Sequence, residues 1–469
     1  MNLTIHRGAH EIGGNCIEVS QDGVRIILDL GMPLVEPHDK KKKFDSFSIA
    51  KKSVAELITA GILPPVQGLY RDTKSEKPLD AILISHPHQD HYGLIDFARK
   101  DIPVYLAEET RRIIEVSDIF LPHKAKIAKA VAFENRKPFK IGPFKVTPYL
   151  MDHSAFGAYA FLVEAGGKRL FYSGDFRGHG RKAGLFQKFI RTAPSPVDCL
   201  LLEGTTLNRP DGITRTEMDL EEDIVAAAKK YPKIKLVYTS VQNIDRMVSF
   251  YRAAIRTKSL FVVDLYAAYL LDQVSEFAKI PHPDRSFKNL KVFFSKRMMR
   301  HLYRQNRKDI VYKYRPFEIS ADELRNRTEG TFLIFRDSLL EDCAKLGEFK
   351  DSALIYSIFK GYMREPRFRT VQKFLKEKGM PMEILHTSGH ASFQDLKKFT
   401  DALKPAMLVP IHTFEPQMYV KLHSNVRPLP VAKHWRSVEA SLKHSLFYPS
   451  PQSSSQKYVR RNVVAGDNF

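Results

Sequence analysis

Strand-length apolar runs that break off at a polar residue or glycine recur through the first part of the chain: RIILDLG (25–31), AILIS (81–85), VYLAE (104–108), KRLFYSGD (168–175) and CLLLEG (199–204). Runs of this length read as buried strands, and their endings deliver polar side chains to one rim of a sheet. Helices are expected between them, over YGLIDFARK (92–100) and EETRRIIEVSDIF (108–120). From about residue 208 the rhythm changes to alternating helix and strand, with helices at 221–231, 245–256 and 269–279 and strands at 235–240, 260–266, 291–294, 332–335 and 353–359. Such alternation predicts a parallel sheet covered by helices. The earlier pattern returns in ILHTSGHASFQDL (384–396) and AMLVPIHTF (406–414), so the middle segment reads as a domain inserted into the first. Length agrees, because 469 residues exceed the ~250–300 at which a single core stops growing.

The expected division is an α/β domain at 1–207, an insertion at 208–375, a return to the first domain at 376–448 and a Ser/Gln-rich disordered tail at 449–469. No apolar stretch reaches the ~18 residues a membrane helix needs, and the N-terminus reads as the first strand of a mature domain. The three scattered cysteines, Cys16, Cys199 and Cys343, form neither a disulfide framework nor a metal clip, which points to a reducing cytoplasm. With 74 Lys+Arg against 53 Asp+Glu the chain carries +21, a balance that gathers polyanions, nucleic acid first among them. A homo-oligomer is compatible with the sequence, although no feature supports one.

The chemistry concentrates in HPHQDH, residues 86–91. A zinc-type cation takes imidazole nitrogens and carboxylate oxygens at about 2 Å, and a tight turn at the end of a rigid strand presents them well. His86 and His88 can point to one side of such a turn, while Asp90 and His91 reach a second position at the start of the next helix.

HPHQDH resembles the HxHxDH signature of the metallo-β-lactamase superfamily. DHSAFGAYAF supplies His153, YSGDF supplies Asp175 and VPIHTF supplies His412, in the order of that superfamily's remaining ligands; ILDLG, with Asp29, resembles its first motif. The resemblance implies an αββα sandwich. It further implies that His86, His88 and His153 hold one Zn2+, that Asp90, His91 and His412 hold a second, and that Asp175 bridges them, with Mn2+ as an alternative metal. Two cations ~3.5–4 Å apart lower the pKa of a bridging water toward neutrality and clamp both oxygens of an in-line displacement. That chemistry suits phosphodiesters, but also lactones and thioesters.

LLLEGTT places Glu203 just before the insertion, and HTSGHAS places His390 just after it. This arrangement is similar to the β-CASP nucleases, with Glu203, His390 and His412 as motifs A, B and C, and resembles ribonuclease J most. A histidine at motif C implies RNA, single-stranded, as the substrate. The resemblance makes His390 a general acid oriented by Glu203, counts Asp90 among the catalytic groups, and gives His386 and Ser388 to substrate phosphate, with Gly389 admitting a close backbone approach.

Basic residues concentrate at 295–315, where Lys296, Arg300, Arg304 and Arg307 fall within about 80° of arc on a continuous helix. Such a face neutralises phosphates without reading sequence, and Tyr303, Tyr312 and Tyr314 are candidates for base stacking. Where ribonuclease J carries a Gly/Ser-rich turn, this chain reads FRDSLLED (335–342). The competing readings are a lactonase- or thioesterase-like hydrolase, a DNA nuclease, and a non-catalytic RNA-binding relative.

Overall fold

The structure, a computed structural model, describes residues 1–72, 77–122, 124–209, 214–327 and 329–431. The tail expected at 449–469 lies outside them. Two six-stranded sheets build the first domain. The first runs Asn2–Arg7, Cys16–Gln21, Val24–Leu28, Ala81–Leu83, Val104–Ala107, Ala130–Phe133, antiparallel up to the third strand and parallel beyond it. The second runs Met407–Pro410, Cys199–Leu202, Lys168–Tyr172, Ala158–Ala165, Phe144–Met151, Phe139–Ile141.

Alternation within the strands assigns their two faces. Ile17, Val19, Ile26 and Leu28 of the first sheet pack against Val146, Phe161, Val163 and Leu201 of the second in one shared core. The opposite face of the first sheet is covered by a core that includes the Val54–Thr59 helix, and that of the second by the Ala183–Arg191 and Phe393–Leu403 helices. This is the αββα sandwich.

The third sheet has seven strands in the order Glu318–Ile319, Leu290–Phe293, Leu260–Asp264, Thr331–Phe335, Ile234–Tyr238, Ala353–Tyr356, Met382–Ile384. All its pairings are parallel, and a separate apolar core covers each face. Its last strand, Met382–Ile384, lies beyond residue 375, where the sequence reading ends the insertion. The insertion sits between two strands that pair in parallel, with Leu200 opposite Leu408. Residues far apart in sequence thereby emerge side by side at one rim. Among the described residues no helix is long and apolar enough to cross a membrane.

Three local expectations need correction. Residues 92–100 are not one helix: Gln89–Tyr92 ends at Gly93 and a short 3-10 turn, Ile95–Phe97, follows. Leu94, Ile95, Phe97 and Ala98 are all buried, so the segment has no solvent face for an amphipathic helix, and Leu94 N–H bonds to Leu30 instead. The basic segment is likewise two helices, Lys296–Arg304 and Lys308–Tyr314. Asn306 adopts a left-handed φ of 57° between them, and Arg307 N–H bonds to the Leu302 carbonyl, a C-terminal cap in which asparagine replaces the usual glycine. Arg307 therefore leaves the cationic face and pairs with Asp309 at 2.9 Å. Tyr314 is fully buried with its hydroxyl on Asp272, which removes it from base stacking, whereas Tyr303 and Tyr312 are exposed.

Candidate metal centre

The Ala81–Leu83 strand delivers its continuation straight into the ligand turn. Asp29, at φ 58°, accepts hydrogen bonds from the Ser85 amide and hydroxyl at 2.7 Å each. It also accepts from the Tyr172 hydroxyl at 2.5 Å and pairs with His91 Nδ1 at 2.6 Å. A carboxylate on Nδ1 sets the tautomer and leaves Nε2 free for a metal. His86 and His88 follow Ser85 on the turn, and Asp90 and His91 lie on the Gln89–Tyr92 helix.

Two ligand groups result. His86 Nε2 lies 3.2 Å from His88 Nδ1, which lies 3.3 Å from His153 Nε2. In the second group, Asp90 Oδ2 lies 3.9 Å from His91 Nε2 and 3.4 Å from His412 Nε2. Asp175 Oδ2 stands between them, 3.8 Å from His86, 3.2 Å from His91 and 3.7 Å from His412. Both Asp175 oxygens and His91 Nε2 are buried without a hydrogen-bond partner. Buried polar atoms left this way ask for a ligand, and a hard or borderline cation fits this nitrogen-and-oxygen donor set.

Protonation states agree. Burial drives the imidazoles of His86 and His153 well below their ordinary pKa and that of His88 to about 4, giving the neutral form a metal needs. Burial pushes the Asp90 carboxyl the other way, but His91 and His412 outweigh it and hold the group at about 2.

His390 approaches from the far side. Its Nδ1 lies 3.4 Å from Glu203 Oε1 and 3.6 Å from Asp175 Oδ2. Burial alone would lower its pKa; the Glu203 and Asp175 carboxylates outweigh burial and raise it. Glu203 is itself fixed by the amides of Ala391, at 3.3 Å, and Thr205, at 3.0 Å. A Cβ on Gly389 would come within 2.6 Å of Ser154 Oγ, so glycine allows the loop to reach this position. Beyond the loop, Ser392 and Asp395 form a capping box that starts the Phe393–Leu403 helix.

Several residues that shape the site have no motif of their own. Thr205 Oγ1 bonds His412 Nδ1 at 2.8 Å, orienting a histidine held at φ 51°. Arg177 and Arg246, both fully buried, meet Glu217 at 3.2 and 2.9 Å, and Arg177 meets Asp245 at 2.6 Å. The same guanidinium groups donate to the backbone carbonyls of Ser388 and Thr387, at 3.0 and 3.2 Å. The only sequence signals were Thr205 standing two residues after Glu203 and Arg177 closing YSGDFR.

The substrate residues named from sequence divide. His386 and Ser388 lie on the loop that carries His390: His386 Nδ1 is 3.4 Å from Arg246 Nη1, and Ser388 Oγ accepts from the His390 amide at 3.1 Å. Burial and the Arg246 charge lower the His386 pKa to about 3. Lys296, Arg300 and Arg304 are not in this cluster. They line an open cavity of about 590 Å³ with Arg297, His301 and Lys345, opposite Asp337, Ser338, Glu341 and Asp342 of the FRDSLLED segment.

Fold and site together define a metallo-hydrolase scaffold in which an αββα sandwich carries a histidine–aspartate metal centre. Residues 63–239 match the β-lactamase superfamily domain and residues 382–420 the Zn-dependent metallo-hydrolase RNA specificity domain. The chain thus has a metallo-β-lactamase domain joined to an RNA specificity domain, and in this it is ribonuclease J-like. Ribonuclease J of Mycoplasma genitalium is 25% identical over 256 residues, 54% of this chain and 41% of that protein. Ribonuclease J of Helicobacter pylori is 22% identical over 424 residues, 88% and 56% of the two chains. Transcription termination factor FttA of Methanothermobacter thermautotrophicus is 21% identical over 455 residues, 86% and 65% of the two chains. The chain spans about half the length of the ribonuclease J relatives it matches. A crystal structure of a protein of unknown function from Enterococcus faecalis V583 shares the fold, with a TM-score of 0.72 at 22% identity over 92% of this chain and 97% of that one.

Proposed function

We propose that the chain is a two-zinc RNA phosphodiesterase of the ribonuclease J kind, acting on single-stranded RNA in the cytoplasm, with Mn2+ able to replace Zn2+. The observation that carries this reading is the position of Asp175 Oδ2, within 3.8 Å of nitrogens from both ligand groups and 3.6 Å from His390. Bound zinc would supply a Lewis acid for the phosphoryl oxygens and a water of near-neutral pKa.

The remaining work belongs to the chain. With Nδ1 turned toward Glu203, His390 presents Nε2 to the scissile bond. As the phosphorus–oxygen bond breaks, the departing ribose oxygen takes the proton held there, and the Glu203 carboxylate on the other ring nitrogen stabilises the protonated imidazole that gives it. Glu203 holds the ring and the loop together. His386 and Ser388 flank the position of the neighbouring phosphate, and the Lys296, Arg300 and Arg304 face binds the strand farther along the rim. The RNA specificity domain and the ribonuclease J relatives support RNA as the substrate.

Incubating the purified chain with 5′-monophosphate and 5′-triphosphate RNA, labelled at either end, tests the reading. Cleavage that stops with a chelator and returns with Zn2+ or Mn2+ is expected; mononucleotides from one end would mark an exonuclease and internal fragments an endonuclease. Hydrolysis of a lactone with RNA left intact would overturn it, and paired RNA and DNA strands of one sequence decide the sugar preference.

A further inference from the structure

The loop after the Ala353–Tyr356 strand carries an aromatic pair that the metal chemistry does not use. Phe359 is 50% exposed, and its ring meets Tyr362 edge-on, with centroids 5.6 Å apart and planes at 90°. The ring lies back over Gly361, where a Cβ would come within 2.3 Å of Phe359 Cε1. Glycine is what lets the ring rest on the backbone. Two cations flank the pair: the Arg209 guanidinium is 5.9 Å from the Phe359 centroid, and Lys43 Nζ, which also pairs with Glu365 at 2.7 Å, is 4.7 Å from that of Tyr362.

This pair borders the metal centre. Arg209 also donates to Ser388 Oγ at 3.3 Å, and that oxygen accepts from the His390 amide at 3.1 Å. An exposed ring braced from behind, with cations beside it and the candidate metal centre next door, matches what unpaired nucleic acid needs: a π face for the base and positive charge for the phosphates. Bases in a duplex have both faces covered by their neighbours, so only an unpaired base can use such a ring.

We propose that Phe359, braced by Tyr362 and Gly361 and flanked by Arg209 and Lys43, stacks an unpaired base of the strand whose phosphodiester lies at the metal centre, and so selects single strands. The inference rests on the RNA reading above and names the part of the site that senses the base.

The test uses the full, zinc-loaded chain carrying His390→Ala, which slows cleavage, and measures affinity for a short RNA strand by fluorescence anisotropy. An abasic residue is placed at each position in turn. Loss of the base at one position is expected to weaken binding roughly 5- to 100-fold, the range of a base–aromatic stack. Adding Phe359→Ala should abolish that positional penalty, and so should Phe359→Leu, which keeps bulk without a π face. Phe359→Trp should retain it, and Gly361→Ala, which displaces the ring, should shrink it. A penalty unchanged in Phe359→Ala would overturn the stacking proposal while leaving RNA cleavage standing. A chain that binds no single strand would overturn both.

Discussion

The side chains that would hold the metal are aimed by neighbours that never touch the centre themselves. Asp29 takes His91 Nδ1 at 2.6 Å and Thr205 takes His412 Nδ1 at 2.8 Å, so each ring turns Nε2 inward. Asp29→Asn is expected to cost about 10- to 100-fold in zinc affinity, the usual effect of losing an outer partner, measurable by competition with a fluorescent chelator. His390→Ala should keep its zinc yet lose roughly 100- to 10,000-fold in cleavage rate, the contribution of a general acid; equal loss of zinc would make His390 a ligand instead. The histidines at 86, 88 and 91 could be read as ligands because they crowd one turn. Asp175 and His412 were named only through the resemblance of their short motifs to a known family. Thr205 and Arg177 were not found, since their partners His412 and Ser388 are distant in sequence and only folding makes them neighbours.

At the scale of elements, periodicity located the strands well and failed where a segment had no solvent face, as at 92–100, or where a single residue broke a helix, as at Asn306. The surviving basic helix, Lys296–Arg304, predicts a salt effect. If three of its cations meet phosphates, replacing Lys296, Arg300 and Arg304 with alanine should reduce the slope of log affinity against log salt by about 2, at ~0.7 per single-strand phosphate. An unchanged slope would leave the helix an ordinary solvated face. In the Ile234–Tyr238 strand, burial pushes Lys235 down to about 8, with Nζ on the Lys233 carbonyl at 2.8 Å. Because the folded pKa lies below the unfolded value, the unfolded chain binds more protons between these values and stability rises with pH across that window. Lys235→Met should therefore stabilise the fold at pH 7 by roughly 1–3 kcal/mol, with the gain shrinking as the pH rises above about 8, as read by urea unfolding.

For the whole molecule, the interface between the sandwich and the inserted domain is a charge network. Arg177 from the first domain and Arg246 from the insertion share Glu217, and both hold the loop that carries His390. Breaking a buried pair by removing one member costs about 3–5 kcal/mol, so Arg177→Met should lower stability by that order and weaken cleavage together with it. A variant that loses stability alone would show that the network does not position the loop. The change of rhythm near residue 208 was legible because alternating helix and strand differs from strand runs ending in histidine and aspartate. The way the two domains face each other was not, because its contacts, such as Arg177 with Glu217 and Asp245, join residues distant in the chain.

Metal content tests the central claim most directly. Elemental analysis of the purified chain should find two zinc ions in the wild type, one for each ligand group that meets at Asp175, and fewer than two in Asp175→Ala with the fold intact. A wild-type chain that retains no zinc, or an Asp175→Ala chain that keeps both ions, would contradict it.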